Sequence, residues 1–246
     1  MRRTLPCVVV LLLATPVWLA ADGGGTSDPV ARNEALALKT AVKSVVEALG
    51  TPPAGYDKTS EDYRLPTEMG MDGDSKQFWL ASTEAEFEYL KGKSGEQLGQ
   101  EYQQKIMDAQ ARGDYTEMQR LSTEFQQTMM AAASAEMAKI TVRVWLNHDP
   151  YQTIDPEGVI WETPGAIALR KGGADPQTEV LLVFDPKTLA DTQKVSRISL
   201  HETIRGPAGQ KTAVRAIVVE LVGPEAAVTE WANNVDKGKV LALIHE

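Results

Sequence analysis

Apolar residues recur through residues 98–138 at the 3.6-residue period of a helix, in the longest uninterrupted pattern of the chain. Leu98, Tyr102, Ile106 and Ala109 share one face, and Met118, Leu121, Phe125, Met129 and Ala132 share another. Arg112-Gly113-Asp114 divides the two runs. Gly113 suits the left-handed conformation that ends a helix, and Asp114 can cap the next one, with Glu117 completing a capping-box-like pattern. The spacing predicts a helical hairpin. Its second arm turns alanine-rich from Ala131, where small side chains let another helix or a sheet approach closely.

A second helical pattern precedes it. Ala31, Ala35, Leu38, Val42, Val45 and Leu49 repeat at spacings of four, three, four, three and four, with Ser27-Asp28-Pro29 read as the entry and Gly50, Pro52 and Pro53 as the stop. This narrow seam suits packing on another helix, and residues 98–138 are its expected partner within the chain. The same helix in a second molecule, giving a homo-oligomer, is the alternative.

At Ile140 the period changes to two. Ile140, Val142, Val144 and Leu146 alternate with Thr141, Arg143, Trp145 and Asn147, a half-buried strand stopped by His148-Asp149-Pro150. Further strands are expected at 159–161, 166–170, 179–184, 195–201 and 213–222, separated by Thr163-Pro164-Gly165, Gly172-Gly173, Asp185-Pro186 and Gly206-Pro207-Ala208-Gly209. The connections are too short for helical crossovers, which predicts a mainly antiparallel sheet of five or six strands. Gly223-Pro224 ends it and opens a final helix on which Ala227, Trp231 and Val235 share a face. Residues 240–244 read equally well as a closing strand or a last helical turn. Residues 51–94, rich in Pro and Gly, predict turns, an extended piece around Tyr63-Arg64-Leu65 and a short helix at 83–90. Phe78, Trp79, Leu80, Phe87, Tyr89 and Leu90 require part of this stretch to dock on a core.

The expected fold class is therefore α+β: N-terminal helices, including a helical hairpin, packed on a C-terminal mainly antiparallel sheet with a final helix. The expected division is a signal peptide at 1–21, a helical region at 22–138 with an irregular segment at 51–94, and a sheet domain at 139–246. The turn Gly113-Asp114-Tyr115 resembles that of one tetratricopeptide unit, but nothing recurs at that family's period and no function is carried over from it.

Composition adds a compartment. Arg2 and Arg3 precede an apolar run from Val8 that is too short to span a bilayer, and Ala20-Ala21 offers a small-residue cleavage site. Export to a periplasm or the exterior is expected, with no membrane span after cleavage. Cys7 is the single cysteine and lies in the leader, so stability must come from an apolar core rather than disulfides. The formal net charge of −9 argues against nucleic acid as a partner, since binding it takes clustered cations.

Candidate chemistry is sparse. His201-Glu202-Thr203-Ile204-Arg205 is half of a zinc signature, but Arg205 stands at the second ligand position and Gly206-Pro207 breaks the helix that signature needs; the plain alternative is a strand end entering a turn. Gly92-Lys93-Ser94 resembles the end of a phosphate loop, yet Phe87 stands where its first glycine belongs. No serine lies in a nucleophile motif, and the histidines number three. His148, Asp149, Asp155 and Glu157 gather an imidazole and carboxylates on one loop, a pattern shared by hard-cation sites and ordinary turns. Asp72 and Asp74 around Gly73 are a weaker case of the same kind. Trp145 and Trp161 are candidates to line a ligand groove, against the alternative that the helical hairpin covers that face of the sheet. No cofactor is expected, and neither catalytic residues nor metal ligands are assigned. The expected function is a non-enzymatic binding or protein-interaction module of the cell envelope, with a protein or small molecule as ligand. The alternative is a secreted hydrolase with a site assembled from carboxylates and histidine.

Overall fold

The computed structural model describes residues 27–73, 77–172 and 177–245. The segment 1–21 expected to be a signal peptide, Cys7, Gly173 and Asp74 lie outside the described residues.

Helix α1 (Arg32–Ala48) buries Leu38, Val42, Val45 and Ala48. The Glu34 carboxylate reaches back to accept the Ala31 N–H at 2.7 Å, satisfying one of the free donors of the first turn. Gly50, at φ 78°, turns the chain out of the helix. Ser27–Pro29 does not open this helix as expected. It is a short strand paired antiparallel with Glu68–Gly70, and Asp28 spends its carboxylate on Lys211 (2.7 Å) and the Gly209 N–H (3.0 Å) instead of capping.

Strands β1 (Tyr56–Arg64) and β2 (Thr83–Lys91) follow, joined antiparallel with a bulge beside Thr59. The expected irregular stretch at 51–94 thus holds two nine-residue strands, and the short helix expected at 83–90 is strand. Thr83, Ala85, Phe87 and Tyr89 are buried while Glu84, Glu86 and Glu88 face out, a period of two that decides the conformation.

Helices α2 (Gly95–Ala111) and α3 (Tyr115–Met137) form the predicted hairpin. Ser94 accepts the Gln97 N–H, Gly113 sits at φ 70°, and Asp114 accepts the Glu117 N–H at 3.0 Å. Leu98, Tyr102, Ala109, Leu121 and Ala132 make a small core of their own with Ile106, Met118, Phe125 and Met129. The Tyr102 hydroxyl donates to Glu124 at 3.0 Å.

Strands β3 (Ile140–Leu146), β4 (Val159–Thr163), β5 (Ala166–Lys171), β6 (Gln177–Phe184) and β7 (Ile217–Pro224) complete a seven-stranded sheet in the order β1-β2-β3-β7-β6-β5-β4. Every pairing in it is antiparallel, and two of its strands come from before Lys139. Helices α4 (Glu225–Asn234) and α5 (Lys237–Leu241) end the chain, so residues 240–244 are helix and turn rather than strand.

One sheet face carries Phe87, Ile140, Val142, Leu182, Phe184 and Val219 and is covered by α1, α4 and α5. The α1 seam therefore packs on the sheet and α5, not on the hairpin, whose inward-facing apolar residues pack into a core of its own. Each fully buried Val or Leu of that seam contributes about 1.5–3 kcal/mol, which explains why it is not left in water. The opposite face carries Ile167, Leu169, Leu181, Val183 and Val218. It is covered by Leu189, Ile198, Leu200 and Ile204 from the connection between β6 and β7, where the hairpin was expected. The expected strand at 195–201 shrinks to Arg197–Ile198, paired with Gln152–Thr153, because this segment serves as a lid of side chains rather than a sheet member.

The part of that face built by β1, β2 and β3 stays polar. Arg143 lies between Glu86 (2.7 Å) and Glu220 (3.2 Å) on its two neighbouring strands, and Arg64 pairs with Glu84 at 3.1 Å. The hairpin leaves the sheet between β2 and β3, although Tyr89 and Ile140 on either side of it are paired neighbours. Its base is held by the Tyr56 hydroxyl on the Ala138 carbonyl (3.0 Å) and the Gln177 amide on the Met137 carbonyl (3.2 Å).

Candidate functional site

Three places carry chemistry: the loop after β3, a cleft beside the C-terminal residues, and the surface of the hairpin. At the first, β3 runs into Asn147 at φ 54° and, after His148-Asp149-Pro150, Tyr151 at φ 43°. Left-handed conformations are uncommon away from glycine, and for a bulky tyrosine the cost must be met by surrounding contacts. Asn147 is buried, donating to the Ala81 carbonyl (3.0 Å) and the Ala213 carbonyl (2.7 Å) and accepting the Arg215 N–H (2.9 Å). The Tyr151 hydroxyl accepts from Arg197 at 2.7 Å.

Between these two residues His148 stacks on Trp145, ring centroids 5.4 Å apart. Burial pushes the imidazole below the usual histidine range, and Asp149 and Glu84 oppose that shift. Asp149 accepts from the Tyr151 N–H (3.0 Å) and the Ser199 hydroxyl (3.1 Å), so its oxygens tie the loop to the segment covering the sheet. Of the four residues grouped in the sequence, His148 and Asp149 stay together and Glu84 of β2 joins them electrostatically. Asp155 instead caps a 3-10 turn at Pro156–Gly158 through the Glu157 N–H. Among the described residues no group of three His, Cys, Asp or Glu side chains is arranged to hold a metal ion.

His201 lies in a turn rather than at a strand end, with its ring 4.6 Å from Trp79. Arg205 contacts it, stacks over Trp79 at 4.7 Å and pairs with Asp72 (2.9 Å) and Glu202 (3.0 Å). These residues clamp the short strands at 78–79 and 205–206 together. Among the described residues neither His148 nor His201 is within hydrogen-bond distance of a carboxylate. Gly92-Lys93-Ser94 is the entry to α2, with Ser94 as its cap and Lys93 paired to Glu101. Trp145 and Trp161 fall on opposite faces of the sheet and line no common groove. Trp161 donates its indole N–H to the Ala232 carbonyl at 2.9 Å.

The second place was not legible in the sequence. Asp185, Lys187, Thr203 and Arg215 line a cleft of about 300 Å³ together with Ile244 and His245. These residues belong to the end of β6, the covering connection, the approach to β7 and the C-terminal turn, and only the tertiary fold brings them together. Asp185 is fully buried, with Oδ1 accepting the Lys187 N–H and Oδ2 the Thr203 hydroxyl, each at 2.9 Å.

The third is the hairpin's outer surface, where Met107, Tyr115, Met130 and Met137 are each more than half exposed. From Phe125 to Ala135 its second arm carries no charged residue. Among the described residues no helix is long and apolar enough to cross a membrane. The chain matches no protein-family model, no curated protein and no solved structure.

Proposed function

We propose that this chain is a non-enzymatic protein-interaction module of the cell envelope that presents the α2–α3 hairpin as its contact arm. The observation that carries the reading is the hairpin's construction. It departs between two paired strands, keeps a core separate from both layers of the sheet, and holds methionine and tyrosine side chains in water. Methionine is a flexible, polarizable side chain that fits irregular partner surfaces, and exposed apolar groups on a rigid element are typical of contact faces. The hydrolase alternative has less support, because the His148 and His201 imidazoles sit against tryptophans and, among the described residues, neither hydrogen-bonds a carboxylate that would make it a general base. Placement in the envelope rests on the leader-like first residues.

Photo-crosslinking in the native cell tests the proposal. A photoreactive residue at Met130 should give discrete adducts, and one at Lys58 on the edge strand β1 should give none. Adducts at Lys58 alone, or none at Met107, Met130 and Tyr115, would overturn it.

A further inference from the structure

We infer that the cleft bounded by the Pro186-Lys187 turn, Arg215 and the C-terminal turn binds a small organic anion, a carboxylate on a short apolar body. The inference is independent of the hairpin. This chain carries 25 Lys and Arg against 34 Asp and Glu, so carboxylates are the abundant partner for any cation. Yet neither Lys187 nor Arg215 belongs to any ion pair among the described residues, and both line this one cavity.

Arg215 is already positioned. One terminal nitrogen donates to the Arg205 carbonyl at 2.7 Å and the other to Gln210 Oε1 at 2.8 Å, which fixes the plane of the guanidinium. Both acceptors are neutral, so neither of these hydrogen bonds pairs the guanidinium with a carboxylate. A guanidinium has five N–H donors, and its Nε–H, itself shut off from solvent, finds no acceptor among the described residues. A planar cation held in place, with no carboxylate paired to it, matches a carboxylate ligand better than a neutral one.

The other walls set the rest of the ligand. Lys187 stands on a turn fixed from behind by Asp185, whose two oxygens are occupied and shut off from solvent. An incoming ligand therefore meets the Lys187 side of the turn rather than that carboxylate. The buried negative charge of Asp185 still opposes an anion, which keeps the affinity modest. His245 also lines the cleft, while Pro186 and Ile244 offer apolar surface that a bare inorganic ion would leave unused. A volume of about 300 Å³ lies at the small end of ligand pockets and admits a small organic molecule, not a folded peptide.

The test is a titration of the full chain followed by proton–nitrogen correlation spectra, with butyrate, inorganic phosphate and butylammonium as separate probes. Butyrate should shift the Arg215 side-chain Nε–H and the Lys187 and His245 amides saturably, with Kd on the order of 1 mM. Lys187→Glu, at an exposed position whose backbone N–H still serves Asp185, should weaken butyrate roughly tenfold, or about 1.4 kcal/mol. Arg215→Lys, which keeps the charge and loses the fork, should also weaken it. If that variant does not fold, Lys187→Glu decides alone. Phosphate binding as tightly as butyrate, butylammonium binding at the same residues, no saturable shift, or an unaffected Lys187→Glu variant would each overturn the inference.

Discussion

Trp231 of α4 donates its indole N–H to the carbonyl of Leu49 at 3.0 Å, joining residues 182 positions apart. That carbonyl lies at the end of α1, where backbone acceptors lack partners within the helix, and Gly50 turns the chain so that an indole can reach it. The ring also meets Tyr89 edge-on at 4.9 Å and is itself almost wholly buried. Trp231→Phe keeps most of the apolar surface but leaves the Leu49 carbonyl buried without its donor. A loss of roughly 1–3 kcal/mol is expected. Urea unfolding should show a lower midpoint with the same slope, and an unchanged midpoint would show that the hydrogen bond contributes nothing.

Asn147 separates two effects at one residue. Asn147→Gly removes three hydrogen bonds but tolerates φ 54°, whereas Asn147→Ala removes the same bonds and adds left-handed strain. Both should destabilise by several kcal/mol through orphaned buried groups, with alanine worse by roughly 1 kcal/mol. Equal stability of the two variants in denaturant would remove backbone strain from the account.

The hairpin should open without the sheet. Leu121 lies in its separate core, and Leu121→Ala should cost that core about 2–4 kcal/mol. Native-state hydrogen exchange should then speed the α2 and α3 amides while those of Val142 and Val144 keep the protection of global unfolding. Equal loss of protection in β3 would mean that arm and sheet form one cooperative unit.

His148 gives a pH dependence of defined sign. Burial lowers its folded-state pKa, so the unfolded chain takes up a proton more readily than the native one. The native state should lose stability as pH falls through the ordinary histidine range and regain it above. Asp149 and Glu84 reduce the size of that loss. In His148→Gln this component should vanish, so that the difference between the two proteins' unfolding free energies changes between pH 8 and pH 5. A constant difference over that interval would place the imidazole in an unperturbed setting.

Periodicity carried much of the fold. The hairpin, its Gly113-Asp114 break and the alternation from Ile140 to Leu146 appear where the spacing puts them. The strand at Thr83–Lys91 shows the same alternation, with Glu at 84, 86 and 88 against Ala85, Phe87 and Tyr89, and was obscured by the Pro and Gly around it. Which surface the α1 seam meets was not legible, because a run of Leu and Val fits a sheet as readily as a helix. The loop after Leu146 could be named from His148 and Asp149, but Glu84 reaches it only through the pairing of β2 with β3. Lys187, Arg215 and His245 have no common spacing at all; the cleft exists because the connection after β6 folds back over the sheet while the chain's last turn comes to rest beside it.

The arm's point of attachment bears on how the molecule can change over generations. Tyr89 and Ile140 stand opposite one another in the sheet, so the distance between the two ends of the insert is set by strand spacing, about 4.8 Å in general, and not by anything the helices do. A helical pair whose ends meet at that separation, and whose base still offers acceptors to Tyr56 and Gln177, is compatible with the same strand pairing whether it is longer, shorter or differently surfaced. Variation in the length and surface of the insert can accumulate on one part while the other is inherited intact.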